Sequence, residues 1–144
     1  VCKIGFDIYV VCGKKVNLDF PDLLAWLPKW ILENGYTSDS TLRIEPKASG
    51  LSVIQSIERN TGINVTRTPT PTDSKEVRLN AASPTIECGR VYVIDDYFAD
   101  EFIEEICGFP AKPHDEYVDV LCYAIDYYNN KEDGAQDDLG DYFD

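Results

Sequence analysis

Apolar positions along the chain follow two habits: short β-branched or aromatic runs, and longer stretches where they return every three or four residues. Val1 to Val16 is of the first kind. Ile8, Val10 and their neighbours, punctuated by Gly5 and Gly13, predict two strands. From Pro21 to Asn34 the spacing turns helical, with Leu23, Leu24, Trp26, Leu27, Trp30 and Ile31 on one face. Asp19 offers the N-cap, Pro21 suits the first turn, Pro28 predicts a bend and Asn34-Gly35 an end. The two tryptophans read as core anchors.

Thr41 to Glu45 predicts a strand stopped by Pro46. A helix capped by Ser49 follows to about Gly62, with Val53, Ile54 and Ile57 inward, and then a strand from Ile63 to Arg67. After a Thr/Pro loop, Asp73 and Glu76 stand at capping-box spacing and predict a helix to about Cys88, broken by Pro84 and ended by Gly89. Arg90 to Ile94 predicts a strand, and Ala99 to Cys107 a helix with Phe102, Ile103 and Ile106 inward. Pro110 and Pro113 exclude a helix between them, so the last one starts at about His114, with Asp115 as N-cap and Val118, Leu121, Cys122 and Ile125 as its core face. Strands separated by helices in this order predict a mixed α/β sandwich of sheet and helices.

Composition narrows the class. With 144 residues and 44% apolar content the chain is most simply one domain with a core that needs no staples. No apolar run is long enough to span a bilayer and no signal-peptide pattern opens the chain, which predicts a soluble intracellular protein. The absence of Met at position 1 gives it the look of a piece of something longer. Cys2, Cys12, Cys88, Cys107 and Cys122 include no CxxC pair and read as buried small hydrophobes, not as a zinc site or disulfide framework.

The formal net charge of −13 argues against gripping nucleic acid by bulk electrostatics. Part of it is local. Residues 129–144 hold one Lys against six Asp or Glu, with no helical or strand period, and read as a disordered acidic tail behind a domain of residues 1–128.

Candidate chemistry gathers at the start of the last helix. Asp119 lies one turn after Asp115, on the same side, between Val118 and Val120 of a helix that should be largely buried. A carboxylate there is costly unless it is paired or holds a metal, and both uses remain open. Lys75 and Arg78, three apart on their helix, can meet one phosphate or carboxylate together, or stand as solvated surface. Glu45, closing a strand before Pro46, occupies a common place for a catalytic acid in α/β folds and equally a solvated strand end. The Lys47-Ala48-Ser49-Gly50 turn is no P-loop, lacking both the Gly-rich lead and the Gly-Lys-Ser/Thr ending.

Taken in order, these landmarks resemble the C-terminal nuclease domain of the large terminase subunit, the DNA-packaging motor protein of tailed bacteriophages. Arg43-Ile44-Glu45-Pro46 resembles that family's second acidic strand, and Lys75 with Arg78 its Lys-x-x-Arg helix. Glu87-Cys88-Gly89-Arg90-Val91 is similar to its Glu-x-Gly-x-Val segment. Phe109-Pro110 followed by His114-Asp115-Glu116 and Asp119 resembles its Phe-Pro and His-Asp-Asp-x-x-Asp signature, with Glu116 departing from the second Asp. The resemblance spans residues 41 to 126, most of the chain.

It implies an RNase H-like mixed central β-sheet flanked by helices, and an endonuclease that cuts concatemeric phage DNA using two Mg²⁺ or Mn²⁺ ions held by carboxylates. On that implication Glu45, Asp115 and Asp119 are catalytic, and the same three with Glu116 are metal ligands. Lys75, Arg78 and His114 are phosphate contacts. Double-stranded DNA, an upstream ATPase motor domain, the small terminase subunit and the portal are implied partners, in the cytoplasm of a bacterial host and without a membrane. The run Asp7-Ile8-Tyr9-Val10-Val11 resembles the family's third strand, so the first strand with its central metal-binding Asp is expected to be missing; Asp7 is a poor substitute. Two other readings stay in view: a non-catalytic packaging or adaptor domain with a degraded site, and another RNase H-like enzyme of the resolvase or transposase type.

Overall fold

The computed structural model describes residues 1–137, with side chains described through Lys131. Its elements run β1 (Cys2–Ile4), β2 (Asp7–Val10), α1 (Phe20–Glu33), β3 (Leu42–Ile44), α2 (Gly50–Asn60), β4 (Val65–Arg67), α3 (Lys75–Glu87), β5 (Val91–Val93), α4 (Ala99–Gly108) and α5 (Glu116–Asp137). They fall into two compact units: Lys15–Thr72, and Val1–Lys14 together with the chain from Asp73 onward. The described strands make two small sheets rather than one central sheet. Strands of three or four residues carry no signal for which partner they take, so the periodicity that located them could not assign their pairing.

In the Lys15–Thr72 unit, β3 and β4 pair in parallel, Leu42 opposite Val65 and Ile44 opposite Arg67. A parallel pair needs a long crossover, and α2 supplies it with Val53, Ile54 and Ile57 buried as their spacing predicts. Asp19 caps α1 by accepting the Asp22 N–H at 3.1 Å, and the helix continues through Pro28. Trp26 and Trp30 stack with ring centroids 5.3 Å apart, but both stay half-buried; Ile31 is the buried residue of this helix. Ser49 makes no side-chain cap bond. The turn instead relies on Gly50, where a Cβ would lie 2.0 Å from the Glu45 carbonyl oxygen. Only glycine permits that approach.

In the other unit, β1 and β2 form an antiparallel hairpin and β5 adds in parallel to β2, with Ile8 opposite Val91 and Val10 opposite Val93. Ile8 and Val10 face a core shared with Ala82 of α3, Phe102 of α4 and Val118, Leu121 and Ile125 of α5. That face is covered by the three helices. Side chains alternate along a strand, so Asp7 and Tyr9 stand on the opposite face.

Several expectations shift here. The cap of α3 is Ser74, whose hydroxyl accepts the Val77 N–H at 3.3 Å, so the helix starts at Lys75 and not at an Asp73 cap. Pro84 does not break it; the bond from Cys88 N–H to the Pro84 carbonyl carries the helix to Glu87. On α4, Phe102 is buried but Ile103 is exposed, and the third inward position belongs to Glu105. Cys88 and Cys107 are exposed, and of the five cysteines Cys122 alone is buried; burial pushes its thiol pKa up. Helix α5 passes Tyr128 and reaches Asp137, held at its midpoint by the Asn129 amide donating to the Thr85 hydroxyl at 3.2 Å. The rest of the acidic tail expected to be disordered, residues 138–144, lies outside the described residues. Among those described, no helix is long and apolar enough to cross a membrane.

Candidate functional site

The start of α5 is built by three segments. Pro110 and Pro113 keep the preceding turn out of helix, so α5 opens at Glu116 with Asp115 just before it. The buried side of its first turn is Tyr117 and Val118, and that anchoring turns Asp119, one turn past Asp115, toward α3. From α4, the Glu105 carboxylate accepts the Tyr117 backbone N–H at 2.5 Å. Glu105 is only 4% exposed. A buried carboxylate is tolerable there because the first N–H groups of a helix are unpaired and carry partial positive charge. Glu105→Ala leaves that N–H without its partner and is expected to destabilise the fold by about 1–3 kcal/mol in urea unfolding, with Glu105→Gln recovering part; a loss below the measurement error would remove Glu105 from this role.

Lys75 and Arg78, at the start of α3, meet the two aspartates. The Lys75 ammonium bridges them, contacting Asp115 Oδ1 and lying 2.7 Å from Asp119 Oδ2. Arg78 Nη2 donates to the other oxygen, Asp119 Oδ1, at 2.5 Å, and the guanidinium lies over the Tyr123 ring at 5.3 Å. Of the two targets open to this basic pair, a carboxylate is the one engaged. Two acidic and two basic side chains make the cluster formally neutral.

Burial works against the Lys75 charge, but hydrogen bonds and attraction from Asp115 and Asp119 outweigh it, so its pKa stands above the ordinary lysine value. Arg78 is raised likewise by Asp119, against the cost of burial. A raised cation pKa means the pairing is fully present below the unfolded pKa and lost only as pH rises through the higher folded one. Lys75 therefore stays charged throughout the neutral range. Side-chain exposures of 28% for Lys75 and 24% for Asp119 leave these pairs screened by water, about 1 kcal/mol or less each.

The remaining expected site residues are placed differently. Glu116 opens α5 on the exposed side, with its Oε2 3.7 Å from Nδ1 of the exposed His114, an ion pair only when the imidazole is protonated. Asp7 stands on the sheet face opposite the one α3 and α5 cover, so the structure does not bring it to the cluster; strand alternation decides this. Glu45 belongs to the other unit, where it closes β3 with Oε1 2.8 Å from the Lys47 Nζ. Continuing the β3–β4 register, the Thr68 N–H donates to the Ile44 carbonyl at 2.9 Å, so Thr68 follows Glu45 across the pair.

Over residues 34–127 the chain matches the family model of the terminase RNaseH-like domain. The chain belongs to this family. Comparison with curated proteins and with solved structures gives no match. The mixed α/β architecture of helices and small sheets is in keeping with a terminase RNaseH-like domain.

Does this terminase domain fit the divalent ions its family implies? Among the described residues, no group of three or more His, Cys, Asp or Glu side chains stands together as a metal cage. Asp115 and Asp119 nevertheless converge on one point where a cation already sits, the Lys75 ammonium. Hard oxygen donors of this kind suit one Mg²⁺ or Mn²⁺, which is commonly held by one or two carboxylates, with water and phosphate completing its shell. Two ions ask for more carboxylates than this cluster offers. Sequence reading missed Glu105 and Tyr123. Glu105 had a signal: a carboxylate in register with Ala99 and Phe102 on an apolar helix face, the same anomaly that singled out Asp119.

Proposed function

We propose that this terminase RNaseH-like domain is a metal-dependent DNA endonuclease that cuts concatemeric DNA during genome packaging. The observation that carries the reading is the convergence of Asp115 and Asp119, one helical turn apart, on a single cation position. A divalent ion bound there would activate a water or stabilise the leaving oxygen. Asp115 and Asp119 hold that position. Arg78 holds the Asp119 carboxylate through its Nη2, and Lys75 and Arg78 together balance the two aspartates. Glu45 is proposed as a further carboxylate of the reaction on its place in the acidic-strand motif, and Glu116 as an outer ligand. His114, exposed beside Glu116, is proposed to contact a DNA phosphate.

With a net charge of −13, the chain is proposed to receive double-stranded DNA from partners, an upstream ATPase motor domain and the portal with the small terminase subunit, in the host cytoplasm. One observation favours a non-catalytic packaging domain instead: both carboxylates are already satisfied by Lys75 and Arg78. Plasmid nicking separates the two. Nicking that needs Mn²⁺ and stops with EDTA supports the nuclease. No nicking by the chain, alone or joined to its upstream sequence, supports the non-catalytic domain.

A further inference from the structure

The four charged residues of the cluster are not held alike. Arg78 is anchored by two contacts, its guanidinium over the Tyr123 ring and its Nη2 on Asp119 Oδ1, and its side chain is 18% exposed, while its Nε and Nη1 are buried without a hydrogen-bond partner among the described residues. Lys75 is the first residue of α3, where its backbone is least constrained. Among the described residues its partners are the two aspartates it bridges: their carboxylates, and the Asp115 carbonyl oxygen 3.3 Å away. A lysine ammonium is a compact point charge on a flexible four-carbon stem, with no fixed plane to satisfy. It is the one member that can leave without rebuilding the helix.

We propose that Lys75 is a displaceable internal counter-ion: its ammonium holds the cation position between Asp115 and Asp119, and a divalent cation enters by expelling it while Arg78 keeps Asp119 in place. The inference rests on the nuclease reading and adds a gate to it. Before entry, two aspartates against Lys75 and Arg78 give a neutral patch. After entry the same groups carry about +2, because the ion's charge is added and nothing is lost. Lys75 then stands free at the rim of the cluster. In a chain this acidic, metal entry thereby creates the local positive potential that a DNA phosphate requires. The device keeps the carboxylates paired when no ion is present, and ties phosphate attraction to a loaded site.

Two measurements on the full chain test this. The first is a calorimetric Mn²⁺ titration of wild type and Lys75→Met, which keeps the apolar stem and removes the charge; Lys112→Met, at an exposed lysine paired with Glu104 instead, controls for net charge. Lys75→Met is expected to bind about fivefold to tenfold more tightly and Lys112→Met as wild type, a shift in keeping with the two partly exposed ion pairs that Lys75 makes. The second needs no variant. Acetylation of Lys75, followed by mass spectrometry, is expected to rise on adding Mg²⁺ while Lys112 stays constant. Equal Mn²⁺ affinity in wild type and Lys75→Met, or Lys75 labelling indifferent to Mg²⁺, overturns the gate and leaves the nuclease reading standing. Failure of wild type and variant alike to bind Mn²⁺ overturns both.

Discussion

Replacing Asp119 with Asn is expected to lower metal-dependent DNA cleavage about a hundredfold or more while leaving the chain folded. Mutation of groups that merely support a metal ligand typically costs about 10–100-fold, and Asp119 is proposed as a ligand itself. It is also the hub of the cluster, giving one oxygen to Lys75 and the other to Arg78. Asn keeps the size and one acceptor oxygen, so Arg78 retains a partner, and the stability cost is expected to stay near 1–2 kcal/mol for a site this exposed. Plasmid cleavage and urea unfolding of the same preparation read the two effects separately. Cleavage within a factor of about three of wild type would take Asp119 out of the reaction, since general acid–base or ligand roles are worth far more.

Phe98→Ala is expected to give the largest stability loss of any single change considered, about 3–5 kcal/mol. Phe98 is 1% exposed and meets the Phe102 ring edge-on at 6.1 Å, while Phe102 in turn lies 5.2 Å from the Tyr117 ring. Gly13 closes over it so tightly that a Cβ there would stand 2.9 Å from Phe98 Cδ2. The surroundings cannot collapse into the gap without moving α5, so the cavity stays largely open. The total stability of a domain is only about 5–15 kcal/mol, which makes the variant marginal. The effect should reach the site as well. Tyr117 is held by Phe102 on its ring and by Glu105 on its backbone N–H, two residues after Asp115. Phe98→Leu, which refills most of the volume, is expected to restore most of the stability. A loss below about 1 kcal/mol for Phe98→Ala would contradict this packing.

How far the sequence reached depends on which forces act locally. The faces of α2 and α5 were legible, because Val53, Ile54 and Ile57, and Val118, Leu121, Cys122 and Ile125, obey helical spacing and are buried. Asp119 was legible as a carboxylate set between Val118 and Val120, although Val120 is exposed and Asp119 only half-buried, and Lys75 with Arg78 as a pair able to meet one phosphate or carboxylate. That the carboxylate is Asp119 was not, since the partners lie about forty residues apart and only the packing of α3 on α5 joins them. Ile103 and Glu105 exchanged roles for the same reason. Glu105 is worth burying only because the unpaired N–H groups at the start of α5 lie against it, a tertiary fact with no period. Ser74 displaced Asp73 as the cap of α3 by a single residue, within the usual imprecision of helix ends.

The most direct measurement is the paramagnetic broadening that Mn²⁺ causes in the amide NMR spectrum of the chain. If Asp115 and Asp119 form the cation site, the amides of Asp115 to Val120 and of Lys75 should vanish first, at substoichiometric Mn²⁺, and Asp119→Asn should abolish that local loss. Broadening that begins elsewhere, or that spreads evenly over the acidic surface, would contradict it.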